Sequence, residues 1–268
     1  MMSFIETLKY RNEPLFYFGS ICLVLATIFL LLTKTSSLEV TGANAWIKPF
    51  KFAFSIMLYS WSMAWYCHYL PSFNIGLFSW SVIAFLGFEI VYIAIQAGRG
   101  QLSHYNTSTP FYLFLFQMMG LAATLVTLYT LYIGILFFQK SIPDLPPAYL
   151  WAIRFGIILF VVFSFEGAIM GARMAHTVGG ADGSSGIPLL KWSKLFGDLR
   201  VAHFIGMHAL QVLPLLAYYF IRNPKTIFIV SALYGLLAVY TLIQALNGRP
   251  FFRLNDPLTN RPSENRSD

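Results

Sequence analysis

Two carboxylates, Glu89 and Glu166, and one imidazole, His208, lie inside long apolar stretches, where an ionisable side chain is costly and turns toward a protein interior. Glu89 is eight residues before Ala97, Glu166 nine before Ala175 and His208 nine after Leu199, and all three of those positions border polar segments. At a helical rise of about 1.5 Å per residue the three groups share a depth of roughly 12–14 Å below one membrane face, here called face B. This predicts that three helices bring them into one hollow. Further polar residues keep helical spacing with them: Glu89, Tyr92, Gln96 and Arg99 on one stripe, and Lys48, Lys51, Ser55, Ser62 and Tyr66 on another. His203 and His208 share a third stretch with Arg200 and Gln211, on a wide polar face. Glu166 and Arg173 are seven apart, and Gly167 with Gly171 forms a small-xxx-small pair suited to a close neighbour. Four of the five histidines, His104, His176, His203 and His208, are expected at or below face B, with His68 at the opposite end of its helix.

Three chemistries fit this set. A b-type haem takes imidazoles from different helices, here His203 or His208 with His104 or His176, and Arg99, Arg173, Arg200, Lys48 and Lys51 would hold its propionates. A transition-metal ion would instead use Glu89, Glu166 and His208 with His203 as an added ligand. Either version implies a membrane oxidoreductase or proton-linked chemistry, with Glu89 and Glu166 as the catalytic carboxylates and a small membrane-soluble substrate or electron donor. In a proton-coupled transporter, Glu89 and Glu166 load protons and His208 relays them. The plainest alternative is structural: the carboxylates pair with Arg99, Arg173 or Arg200 to fix helix register, in an assembly protein without cofactor.

The elements that must position these groups follow from composition. Of the 268 residues 57% are hydrophobic and 11% charged, too few charges to coat a soluble surface, which normally needs about 25%. The lipid bilayer is therefore the expected partner, and a soluble enzyme, a disordered chain and a nucleic-acid-binding domain are excluded. Apolar runs near the roughly 20 residues needed to cross a bilayer occur at 15–33, 49–70, 75–97, 110–138, 148–175, 199–221 and 225–246. They predict an all-α seven-transmembrane bundle over residues 1–246 and a polar, flexible tail at 247–268. Face B then carries 12 Lys and Arg and the other face, face A, carries 5, with Arg154 inside a span and expected to snorkel to face A. The positive-inside rule places the N-terminus outside and the C-terminus in the cytoplasm. Cys22 and Cys67 have no metal-ligand spacing and read as buried free thiols. Asp198 sits where it would cap the helix that follows.

The stretches Arg99-Gly100-Gln101-Leu102-Ser103-His104-Tyr105-Asn106 and Gly197 to Gln211 (GDLRVAHFIGMHALQ) resemble those of uncharacterised bacterial multi-span membrane proteins. The resemblance implies a bacterial inner membrane and no particular activity. The helix count and histidines also resemble seven-span zinc hydrolases of lipid amides, but the HxxxH spacing of those enzymes is missing. A retinal Schiff base is excluded because no lysine falls in mid-span. The loop Gly179 to Gly186 has the glycines of a phosphate loop without its Lys-Ser/Thr ending, and reads as a lid over face B.

Overall fold

The computed structural model describes residues 3–70 and 73–252 and contains eight helices: α1 Phe4–Arg11, α2 Glu13–Thr35, α3 Ile47–Cys67, α4 Ile75–Gly98, α5 Pro110–Gln139, α6 Pro147–Arg173, α7 Leu199–Tyr219 and α8 Pro224–Leu246. The starts are written in the sequence. Asn12, Asn74, Thr109, Asp198 and Asn223 each accept a backbone N–H at a helix N-terminus, and proline follows the cap of α2, α5 and α8 within two residues. Two short hairpin-like pairings join face B: β1 Glu39–Val40 with β2 Ala43–Asn44, and β3 Thr177–Val178 with β4 Gly197–Asp198.

Six helices, α2 and α4 to α8, are long and apolar enough to cross a membrane, so the chain is an integral membrane protein. The expected seventh span corresponds to α3, which has sufficient length at 21 residues but less apolar character. Its position explains the composition. α3 packs against α1, α2, α4 and α7, and ten of its residues are buried, against five in α8. A helix walled by protein can carry Ser60, Ser62, Tyr59 and Tyr66, whereas α8 must present Leu233, Leu236 and Tyr240 outward. Of the expected tail, residues 253–268 lie outside the described residues, and the backbone at Pro250 accepts a hydrogen bond from Gln244.

The bundle closes through three contacts that matter for the site. α6 and α7 approach most intimately, since a Cβ on Gly156 would stand 2.9 Å from the Ala209 carbonyl oxygen and one on Gly206 would enter the Phe163 ring. α3 meets α7 where Pro214 has no N–H to give the Leu210 carbonyl; the Tyr66 hydroxyl donates to that oxygen instead, at 2.8 Å. α3 also meets α5, with the Tyr59 hydroxyl 2.7 Å from Thr130 Oγ1. The expected Gly167 and Gly171 pair is corrected: Gly167 faces His203, while Gly171 faces open space. Arg154 reaches in the expected direction: it donates to the Phe137 carbonyl near the face-A end of α5 and lies over Trp151. Cys22 and Cys67 are buried and free.

Candidate functional site

Asp198 organises face B. It caps α7, and its carboxylate is buried to 1% exposure while accepting four hydrogen bonds. Oδ1 takes the Arg200 N–H at 3.1 Å and Nε at 2.9 Å; Oδ2 takes the Ser193 N–H at 2.9 Å and Arg200 Nη2 at 2.6 Å. Arg200 Nη2 also donates to the Lys191 carbonyl at 2.6 Å, and Lys51 Nζ to the Leu190 carbonyl at 3.0 Å. Burial opposes the Asp198 charge, but the Arg200 hydrogen bonds and charge outweigh it and hold the carboxyl below its ordinary range.

His176 joins this network from the end of α6. Its Nδ1 stands 3.3 Å from Asp182 Oδ1 and 3.8 Å from Asp198 Oδ1, and Asp182 accepts the His176 and Thr177 N–H groups. Burial, then the charge of Arg200, pushes His176 down to about 4, leaving it neutral near pH 7. His104 lies in an aromatic box of Phe52, Tyr105 and Phe116, with ring centroids 5.4–6.2 Å away. Burial and nearby Lys48 lower its basicity well below that of free imidazole. Tyr105 is pushed up to about 12 by burial and by the Asp182 charge, which places the 99–106 loop beside the 174–198 segment. The 99–106 loop is fixed because Gln96 and Asn106 both donate to the Leu102 carbonyl at 3.0 Å.

Deeper in the bundle, α6 and α7 bring Glu166 and His203 together. Glu166 Oε2 is 3.3 Å from His203 Nδ1, and neither Glu166 oxygen accepts a hydrogen bond among the described residues. His203 Nδ1 is 2.7 Å from the Phe163 carbonyl oxygen; a carbonyl only accepts, so Nδ1 carries the proton and Nε2 is presented. One turn and a half further along α7, His208 Nδ1 is 3.1 Å from Gln211 Oε1, and Gln211 Nε2 donates to Ser62 Oγ at 3.1 Å on α3.

The expected convergence is therefore only partly met. Glu166 meets His203 rather than His208, and Glu89, Glu166 and His208 form no common group; among the described residues no three His, Cys, Asp or Glu side chains gather as a metal site would need. Equal depth was insufficient because α4, which carries buried Glu89, packs mainly on α2, α3 and α5 rather than beside α6 and α7. Arg99 and Arg173 are exposed and make no ion pair among the described residues, whereas Arg200, Lys48 and Lys51 reach the shared electrostatic field of face B. Sequence reasoning missed Asp182 and Lys191. Asp182 stood in a glycine-rich loop and could have been flagged as an acid six residues after His176; Lys191 carried no local signal. Comparison with protein-family models, curated proteins and solved structures finds no match.

Proposed function

We propose that this is a seven-span membrane protein, α3 supplying the seventh span, which couples proton movement to transfer of a small molecule, with Glu166 and His203 as its proton-exchanging pair. The carrying observation is the Glu166 carboxyl group, buried without a hydrogen-bond donor among the described residues and 3.3 Å from an imidazole nitrogen. Charge on one of these groups is tied to charge on the other, because a buried ion is tolerated only when compensated. His203 Nδ1–H is committed to Phe163 and aimed past Glu166, so a proton arrives or leaves at Nε2. On another side of α7, His208, Gln211 and Ser62 form a separate polar line toward α3. The excess of Lys and Arg at face B supports a cytoplasmic C-terminus and an outside N-terminus in a plasma membrane.

In liposomes loaded with a pH-sensitive dye, an imposed pH gradient should drive proton flux that falls at least tenfold in Glu166→Gln and in His203→Gln. Wild-type vesicles no leakier than empty ones, or folded variants with undiminished flux, overturn this reading.

Haem b is the second reading, favoured by one observation. Both His203 and His208 have Nδ1 beside a hydrogen-bond acceptor, the arrangement in which the other ring nitrogen serves an iron atom. Arg200, Lys48 and Lys51 at face B suit its propionates. A transition-metal ion caged by Glu89, Glu166, His203 and His208 is not favoured, since those groups do not gather. Protein purified after expression with a haem precursor should show a Soret band that His203→Ala or His208→Ala diminishes; a colourless, folded protein removes the reading.

A further inference from the structure

Above the Glu166 and His203 pair, the loops of face B border a polar, partly open cavity of about 280 Å³, lined by residues that include His176, Gly183, Ser184, Lys191, Ser193 and Arg200. Its electrostatics are one-sided. Lys48 and Lys51, one turn apart on α3, lie close enough to Arg200 for the like charges to act on one another, and Lys191 acts on Lys51 as well. Arg200 and three lysines thus lie near two carboxylates, Asp182 and Asp198. Asp198 is already saturated by Arg200 and two backbone N–H groups, and Asp182 is occupied by the backbone of His176 and Thr177. Arg200 is spoken for by Asp198 and Lys191, and Lys51 by a backbone carbonyl. Among the described residues, however, the ammonium groups of Lys48 and Lys191 make neither an ion pair nor a hydrogen bond.

The hairpin that brings Lys191 to the cavity is itself held against preference. Leu189 and Lys191 both adopt left-handed backbone conformations, φ 62° and 56°, which non-glycine residues avoid. The Gly186 and Ser193 bridge and the N–H bonds from Ile187 to the Trp192 carbonyl and from Lys191 to the Ile187 carbonyl enforce them. Such strain persists where the surroundings over-determine it, and here it sets Lys191 on the lining of a polar hollow. Opposite, Gly183 packs so closely on the Thr41 carbonyl that a Cβ would lie 2.6 Å from its oxygen, so the 174–198 segment and the β1 and β2 hairpin form the two walls.

We infer that this cavity binds a phosphate-bearing anion, with Lys191 supplying the uncommitted charge, Arg200 the fixed charge, and the Ser184 and Ser193 pair, whose hydroxyls share a 3.1 Å hydrogen bond, one remaining neutral donor. No carboxylate is among the cavity's lining residues, and Asp182 and Asp198 beside it are already hydrogen-bonded, so a tetrahedral oxyanion meets positive charge. The volume accommodates a phosphate with a small substituent, and the position at a membrane face admits either a soluble phosphate compound or a phospholipid headgroup.

Detergent-purified protein is titrated with inorganic phosphate, and protein in nanodiscs of phosphatidylcholine is compared with protein in nanodiscs containing phosphatidylglycerol, reading thermal stability and, for phosphate, calorimetric affinity. A soluble ligand predicts saturable phosphate binding weakened at least tenfold in Lys191→Gln, whose backbone carbonyl still serves Arg200. A lipid headgroup predicts no phosphate response but stabilisation by phosphatidylglycerol that Lys191→Gln removes. Lys48→Gln removes a neighbouring charge outside the lining, so it should act in the same direction but more weakly, and it guards against a local effect of the hairpin. No response in either arm, or responses unchanged in both folded variants, overturns the inference. Neither arm measures proton flux, so the result stands apart from the fate of the Glu166 and His203 pair.

Discussion

Asp198→Ala is expected to lower stability by about 3–5 kcal/mol, the cost of removing one partner from a buried ion pair. Four donors lose their acceptor at once: the Ser193 N–H, the Arg200 N–H, and two guanidinium nitrogens of Arg200. Arg200 retains only the Lys191 carbonyl, and α7 loses its cap. Because the same carboxylate ties the 191–193 hairpin to the start of α7, the damage should concentrate in residues 174–198 before the bundle opens. Limited proteolysis and hydrogen exchange of the detergent-solubilised protein should find that segment exposed, with α2 to α6 still protected. Asp198→Asn keeps one oxygen acceptor for the cap and should cost less. A variant with wild-type melting and a protected 174–198 segment would contradict the role given to this residue.

The helices were legible because lipid leaves a hydropathic trace, and the caps because Asn, Thr, Asp and proline mark helix starts by their own chemistry. α3 was legible as a helix but not as an interior one; Tyr66 gives no hint in sequence that its hydroxyl will serve a carbonyl freed by Pro214, 148 positions later. At the site, depth could be counted from helix ends, but lateral adjacency could not. Glu89 therefore looked equivalent to Glu166, although of their two helices α6 lies against α7 and α4 packs mainly on α2, α3 and α5. Rotation held a usable clue: His203 and His208 are five residues apart and so point about 140° from each other, which allows one to face Glu166 on α6 while the other is linked through Gln211 to α3. The cavity above was illegible for a different reason. Its shape depends on left-handed residues such as Leu189 and Lys191, and nothing in a leucine or lysine announces that conformation.

Gly206→Leu is expected to separate α6 from α7 and to lose both stability and the pairing of Glu166 with His203. Even the Cβ of alanine would overlap the base of the Phe163 ring, which is 1% exposed and has no room to withdraw. Overpacking of this kind costs about 1–3 kcal/mol, more than the roughly 1 kcal/mol that replacing glycine in a helix returns. Leucine adds three more carbons at the same point. Phe163 is also the residue whose carbonyl orients His203, so moving it alters the imidazole before it unfolds the helix. Gly171→Ala provides the contrast, since nothing lies within 4 Å of the added methyl group and the helix propensity gain is unopposed. Thermal melting in detergent should rank Gly171→Ala at or above wild type, Gly206→Ala below it and Gly206→Leu lowest. The chemical shift of the His203 ring should move in both Gly206 variants and stay in place in Gly171→Ala. Equal melting of all four proteins would mean that α6 and α7 are not closely packed at Gly206, and the Glu166 and His203 geometry would lose its support with it.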